Sequence, residues 1–117
     1  MVKAKLPPMP ERQILRDCKE ILEALGIWHV RINTGGSQSF DRKRFIYNGK
    51  KGCPDILAIH PFDGKTIGIE CKRERIGKLS GEQVKCHNEF LASNAIYLVV
   101  HSGLELWQWL KQEGVIP

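Results

Sequence analysis

The run Ala95-Ile96-Tyr97-Leu98-Val99-Val100 carries no charged side chain on either face of the extended chain it must form. A strand that alternates apolar and polar residues can leave one face in water, whereas a continuous apolar run must be covered on both. It predicts a central strand with helices on its two sides. Helix signals flank it: Ser80-Gly81-Glu82-Gln83 has the form of a capping box and opens a helix to about Ser93. Ser102-Gly103-Leu104-Glu105 repeats that logic and opens a last helix carrying Trp107 and Trp109.

Upstream, residues 1–9 are rich in Pro and Lys and read as a flexible arm, leaving 10–117 as one domain. Pro10 suits a first helical turn. Ile14, Leu15, Cys18, Ile21, Leu22 and Leu25 then recur at helical spacing, and Gly26 supplies the stop. From Ile27 to Asn33 the pattern alternates, with Trp28, Val30 and Ile32 on one face and His29, Arg31 and Asn33 on the other, which predicts a half-buried strand. The basic segment from Gly35 to Lys51, with Phe45 and Tyr47 embedded, reads as a short hairpin or a mobile loop. Strands over Asp55–His60 and Thr66–Lys72 are joined through Asp63-Gly64, a tight-turn signal, and should pair as a hairpin. The expected fold class is α/β: a mixed sheet flanked by helices, in the order helix, strand, possible short strand, hairpin, helix, strand, helix.

A length of 117 residues allows one domain. Eighteen Lys and Arg against thirteen Asp and Glu give a net charge of +5, which suits a polyanion such as nucleic acid but equally an anionic membrane surface. No run is long enough to span a bilayer and the N-terminus has no signal-like apolar region, so the expectation is a soluble cytoplasmic protein. Cys18, Cys53, Cys71 and Cys86 lack zinc-site spacing and read as reduced apolar fillers.

Residues two apart on a strand share a face, so Glu70 and Lys72 point one way with Thr66 and Gly68, while Ile67, Ile69 and Cys71 point into the core. With Asp63-Gly64 as a two-residue turn, Leu57 falls opposite Glu70 and Asp55 opposite Lys72, which sets Asp55 diagonal to Glu70. Two carboxylates, helped by the Cys71 carbonyl and water, would supply the oxygen ligands that Mg2+ requires. Lys72 beside them could orient a water or stabilise charge growing on a phosphate. Either half alone is bland, because an exposed Glu-x-Lys pair is common on strands. At about 100° per residue, Glu11 falls on the arc of Ile14, Cys18 and Leu22 and faces inward, whereas Glu20 and Glu23 face solvent. The plainer reading of Glu11 is a first-turn acid favoured by the helix dipole. Gln83 shares a face with His87, Phe90 and Leu91, and either reaches the site or serves its capping box. Arg31 is a phosphate contact or an ordinary surface residue. His29, His60, His87 and His101 have no triad-like partner. Lys43, Arg44, Lys50, Lys51, Arg73, Arg75 and Lys78 flank the proposed site, and such contacts position nucleic acid without reading bases.

The segments Gly52-Cys53-Pro54-Asp55, Gly68-Ile69-Glu70-Cys71-Lys72 and Gly77-Lys78-Leu79-Ser80-Gly81-Glu82-Gln83 resemble the VRR-NUC family of the PD-(D/E)XK nuclease superfamily. The stretches from Glu11 to Asp17 and from Val30 to Gly35 are similar to that family's opening, and the likeness runs from about residue 10 to 103. It implies a core of helix, three strands, helix and strand, with dependence on Mg2+ or Mn2+. Asp55 and Glu70 match the family's metal-binding acids, Lys72 its catalytic lysine, Glu11 its first-helix acid and Gln83 its second-helix glutamine; the Cys71 carbonyl would complete the metal shell. Short members are often phage or bacterial and similar in fold to Holliday-junction resolvases, which implies a homodimer on branched DNA in a bacterial cell or phage-infected host. No accessory DNA-binding domain is evident, so targeting is expected from the domain, a dimer or a partner. The expected activity is metal-dependent, structure-selective cleavage of DNA. The alternatives are a non-catalytic nucleic-acid-binding module with this fold and, behind it, a sequence-reading restriction-type enzyme, for which no helix carries an evident set of base-reading side chains.

Overall fold

Pro10 has no N–H to donate, and its extended backbone places it just outside the first helix, where its carbonyl accepts from the N–H groups of Gln13 and Ile14. Helix α1 (Glu11–Ala24) buries Ile14, Cys18 and Leu22 on one stripe and stops at Leu25-Gly26, as its spacing predicts. The computed structural model describes residues 8–32, 36–38, 41–43, 45–47, 52–73 and 78–117. Of the predicted arm, residues 1–7 lie outside that set, and Met9 packs against the core.

Strands follow as β1 (His29–Arg31), β2 (Gly36–Gln38), β3 (Phe45–Tyr47), β4 (Ile56–Ile59) and β5 (Thr66–Cys71), then helix α2 (Gly81–Ala92), β6 (Ile96–Val100) and helix α3 (Gly103–Gln112). One sheet has the order β1-β4-β5-β6, antiparallel except for the parallel β5/β6 pair, which α2 connects as a crossover. The α/β class and mixed sheet are as expected, and β2 and β3 form a separate antiparallel hairpin. On one face of the sheet, Ile56, Ala58, Ile67, Ile69, Cys71 and Val100 share a single core with α1 and α3. Helix α2 lies on the other face.

Four expectations change. Strand β6 pairs with β5 alone among the described residues, so it is an edge strand rather than a central one. Its apolar run reflects the helices α2 and α3 packed on it. Strand β1 also turns its faces the other way: His29 and Arg31 pair with Ala58 and Ile56, the core-facing residues, and Val30 pairs with Leu57. Trp28 and Val30 are therefore exposed, and Ile27, just before the strand, enters the core instead. Leu91, expected on the inner face of α2, is exposed as well, while His87 and Phe90 pack on Tyr97.

The fourth change is the hairpin register. Ile59 pairs with Thr66, His60 closes the ladder by donating to the Lys65 carbonyl, and Gly64 donates back to the His60 carbonyl. Pro61 has no N–H for a further ladder bond, and the Asp63 carboxylate accepts from the Lys65 N–H, so the connection is a four-residue loop, 61–64, and not a two-residue turn. Leu57 faces Gly68 rather than Glu70, and one step beyond the Ile56–Ile69 pair Asp55 stands across from Glu70 instead of diagonal to it. The shift is even, so every side chain keeps its expected face.

The cysteines are all free, with Cys18, Cys71 and Cys86 buried and Cys53 half-buried. Trp109 packs against the core, while Trp107 is 39% exposed. No helix among the described residues is long and apolar enough to cross a membrane.

Gly68 lets α2 lie close to the sheet. A Cβ there would stand 2.5 Å from Pro54 Cγ and 2.6 Å from Phe90 Cε2. Gly68→Ala should therefore destabilise the protein by about 1–3 kcal/mol in chemical denaturation, and its effect combined with Phe90→Ala should be smaller than the sum of the two. Strict additivity would show that Phe90 does not press on this strand.

Candidate active site

Gly52 (φ +80°) brings the chain against the start of α2, so closely that a Cβ would lie 2.2 Å from the Glu82 carbonyl oxygen. Buried Pro54 follows, and Asp55 lies just before the start of β4, opposite Glu70 of β5. The Cys71 N–H donates to Asp55 Oδ2 at 2.8 Å. Glu70 is 3% exposed; its Oε1 accepts from Gln83 Nε2 at 2.7 Å and lies 3.8 Å from Lys72 Nζ. Its Oε2 is buried with no hydrogen-bond partner among the described residues.

Gln83 fills both roles its sequence context allows. Its side-chain oxygen accepts from the Ser80 N–H at 2.9 Å and its backbone N–H donates to Ser80 Oγ, closing the capping box, while its amide NH2 holds Glu70. A bond that starts the helix thereby also orients the acid.

The Asp55 and Glu70 carboxyls lie close enough to shift each other's titration. Burial, then the negative charge of Asp55, push Glu70 up to about 8, against the pull of Lys72. Burial also raises Asp55, and Glu11 adds to the rise, opposed by the Cys71 N–H and Lys72. Glu11 reaches across from α1, its Oε1 3.5 Å from the Arg73 N–H, although its own side chain is exposed rather than turned inward.

Three acids thus act on a centre with Lys72 as its counter-charge. The unpartnered Glu70 oxygen and the mutually repelling pair fit a divalent cation, with the Cys71 carbonyl and water as further oxygen donors. No group of three or more His, Cys, Asp or Glu side chains among the described residues is close enough to encircle an ion. Thiol chemistry does not fit: Cys71 is hydrogen-bonded to Cys18 and buried, and both effects push its thiol far up.

A cavity of about 360 Å³ opens on this centre, lined by Glu11, Arg12, Leu15, Arg31, Asp55 and Cys71. Arg31 is thus at the site. Arg12 was not singled out from the sequence; its signal was its place beside Glu11 in the first turn of α1. Arg73 is half-buried, with its Nε unpartnered among the described residues, whereas Lys43 and Lys78 are exposed outside the cavity lining. Arg44, Lys50, Lys51 and Arg75 lie outside the described residues. The histidines form no triad there: His87 packs on Tyr97, His60 meets Glu113, and His101 meets Glu105.

The raised acids set a pH dependence. Glu70 moves from 4.5 to about 8 on folding, so between those values the native state binds the extra proton and stability falls as pH rises. Without divalent metal, thermal unfolding should show a decline of a few kcal/mol from about pH 4.5 to about pH 8, levelling above it. Glu70→Gln should flatten most of that slope. A slope unchanged in Glu70→Gln would place its origin elsewhere.

Neither a family model nor a curated protein matches the chain. A solved structure described as a VRR_NUC domain does, with a TM-score of 0.65 and 26% identity, covering 86% of this chain and 94% of that one. Its fold agrees with the motifs around Asp55, Glu70 and Gln83, and the chain is similar in fold to a VRR-NUC nuclease-type domain over most of its length.

Proposed function

We propose that the protein is a metal-dependent DNA endonuclease whose centre is the Asp55–Glu70 pair beside Lys72. The observation that carries the reading is the buried Glu70, with one oxygen unpartnered among the described residues, beside the half-buried Asp55. Asp55, Glu70, the Cys71 carbonyl and, from α1, Glu11 would hold Mg2+ or Mn2+. When bound, such an ion neutralises the acids and the phosphate and lowers the pKa of a bound water. The chain's own groups hold the geometry: Gln83 fixes one oxygen of Glu70, the Cys71 N–H fixes one oxygen of Asp55, and each carboxylate keeps the other free. Lys72 sets a positive charge where negative charge grows as a water oxygen bonds to phosphorus. The bond from phosphorus to one sugar oxygen then breaks; the attacking water gives up a proton to solvent and the departing oxygen takes one from solvent, leaving a phosphomonoester and a hydroxyl.

Gln83 positions Glu70 rather than touching the phosphate. Arg31, Arg73 and the other basic groups named above would bind phosphates, which favours selection by DNA structure over sequence. A homodimer placing two such centres across branched DNA, in a bacterial or phage-infected cell, follows from the family resemblance; mass in solution with and without a DNA junction tests it.

The test is cleavage of flap, junction and duplex DNAs with Mg2+ or Mn2+. Asp55→Ala, Glu70→Ala and Lys72→Ala should each lower the rate by about 100-fold or more, and chelation should abolish it. Wild-type activity in Asp55→Ala would overturn the assignment. Salt-sensitive binding without cleavage by the wild type would leave only the binding-module alternative.

A further inference from the structure

The flank of α1 that faces β1 carries charge the proposed centre does not use. Arg12, Arg16 and Lys19 follow one another at steps of four and three residues, which places them on one side of the helix, and all three are exposed. A second groove of about 340 Å³ runs along this flank, lined by Arg12, Leu15, Arg16, Lys19 and Arg31, with Glu20 and Glu23 also on its walls. Arg12, Leu15 and Arg31 line the active-site cavity too, so the two openings are continuous.

These cations keep their charge available. None of Arg12, Arg16, Lys19 and Arg31 forms an ion pair with a described residue. Arg16 is steadied by a neutral group, donating to the Gln13 side-chain oxygen, while Gln13 in turn donates to Asp17 at 2.8 Å. The acids of the groove come late in the helix, Glu20 and Glu23 following the basic residues, so the positive end of the track is the end nearest the cavity.

We propose that this flank is a phosphate track: the nucleic-acid strand entering the cavity continues along α1 with its backbone against Arg12, Arg16 and Lys19. The inference rests on the nuclease reading and extends it to a path for the substrate. At 1.5 Å per residue the three side chains span about 10 Å, the axial length of roughly three phosphates of one B-form strand. The contact is to backbone only, since the groove presents charge and the Leu15 side chain but no array of amide or carboxamide groups suited to base edges.

Binding of a fluorescent branched DNA, measured in EDTA over a range of salt, tests this without cleavage. Arg16 and Lys19 touch neither carboxylate of the centre, and being exposed they can be changed without disturbing the core. Arg16→Gln with Lys19→Gln should weaken binding about tenfold and make the slope of log affinity against log salt shallower by about 1.4–1.8, the loss of two phosphate contacts. Lys65→Gln with Lys111→Gln removes the same charge away from the groove and should do neither. Equal behaviour of the two double variants would overturn the track. Metal-dependent cleavage by the wild type is scored separately: a cleaving protein with an indifferent Arg16/Lys19 variant refutes the track alone, and a non-cleaving protein with the predicted binding loss refutes the nuclease reading alone.

Discussion

Two carboxylates set across from each other on adjacent strands, one of them almost wholly shut from water, repel each other, and the domain is built to hold them there. Glu70 lies on the inner strand of the sheet, where β4 and β6 fix its backbone on both sides. Gly68, one turn of the pleat before it, lets Pro54 and Phe90 close over the same face, and Gly52 has no side chain to keep the Pro54-Asp55 segment away from α2. The α2 capping box then spends its glutamine on the buried acid. Each feature strengthens the packing while bringing the acids closer, so the fold confines a destabilising pair with interactions made elsewhere. Locally unfavourable groups held by a favourable frame are characteristic of functional centres.

What could be read from the sequence divides along a physical line. Signals that act within a few residues were legible: the stripe of α1, the caps at Ser80 and Ser102, and the parity of the hairpin strands. At Ser102 even the variation is local, since Glu105 reaches the His101 N–H rather than the capping residue's own. The register was not legible, because Asp63-Gly64 signals a tight turn while Pro61 removes the donor that such a register would need. Because the two registers differ by an even step, the face of Asp55, Glu70 and Lys72 survived the error; a one-residue slip would have reversed it.

The strands at the margins were harder for another reason. Alternation in β1 separates two faces without saying which one meets the core, and that choice is made by β4, whose Ala58 and Ile56 lie opposite His29 and Arg31. The apolar run of β6 correctly signals cover on both faces, but a strand's place in the sheet depends on its lateral partners, which hydropathy does not report. Gln83 shows the reverse case. Two readings that competed in the sequence are both true, because an amide has an acceptor for the helix cap and donors for the acid.

Helix α1 unites these requirements. Its buried stripe anchors the sheet through Ile14, Cys18 and Leu22, its first residue sets Glu11 toward the acid centre, and its next flank carries Arg12, Arg16 and Lys19. A centre for a cation must be acidic, yet a polyanion approaching it is repelled unless the surroundings are basic. A chain of net charge +5 meets both demands only if its charges are sorted in space, acids inside and bases along the approach. On a helix, adjacent residues point about 100° apart, so a single step in sequence from Glu11 to Arg12 turns the chain from the acid centre toward the groove. Opposite charges therefore sit side by side in the first turn without doing the same work: Glu11 lines the acid cavity alone of the two openings, whereas Arg12 lines both the cavity and the groove and joins them.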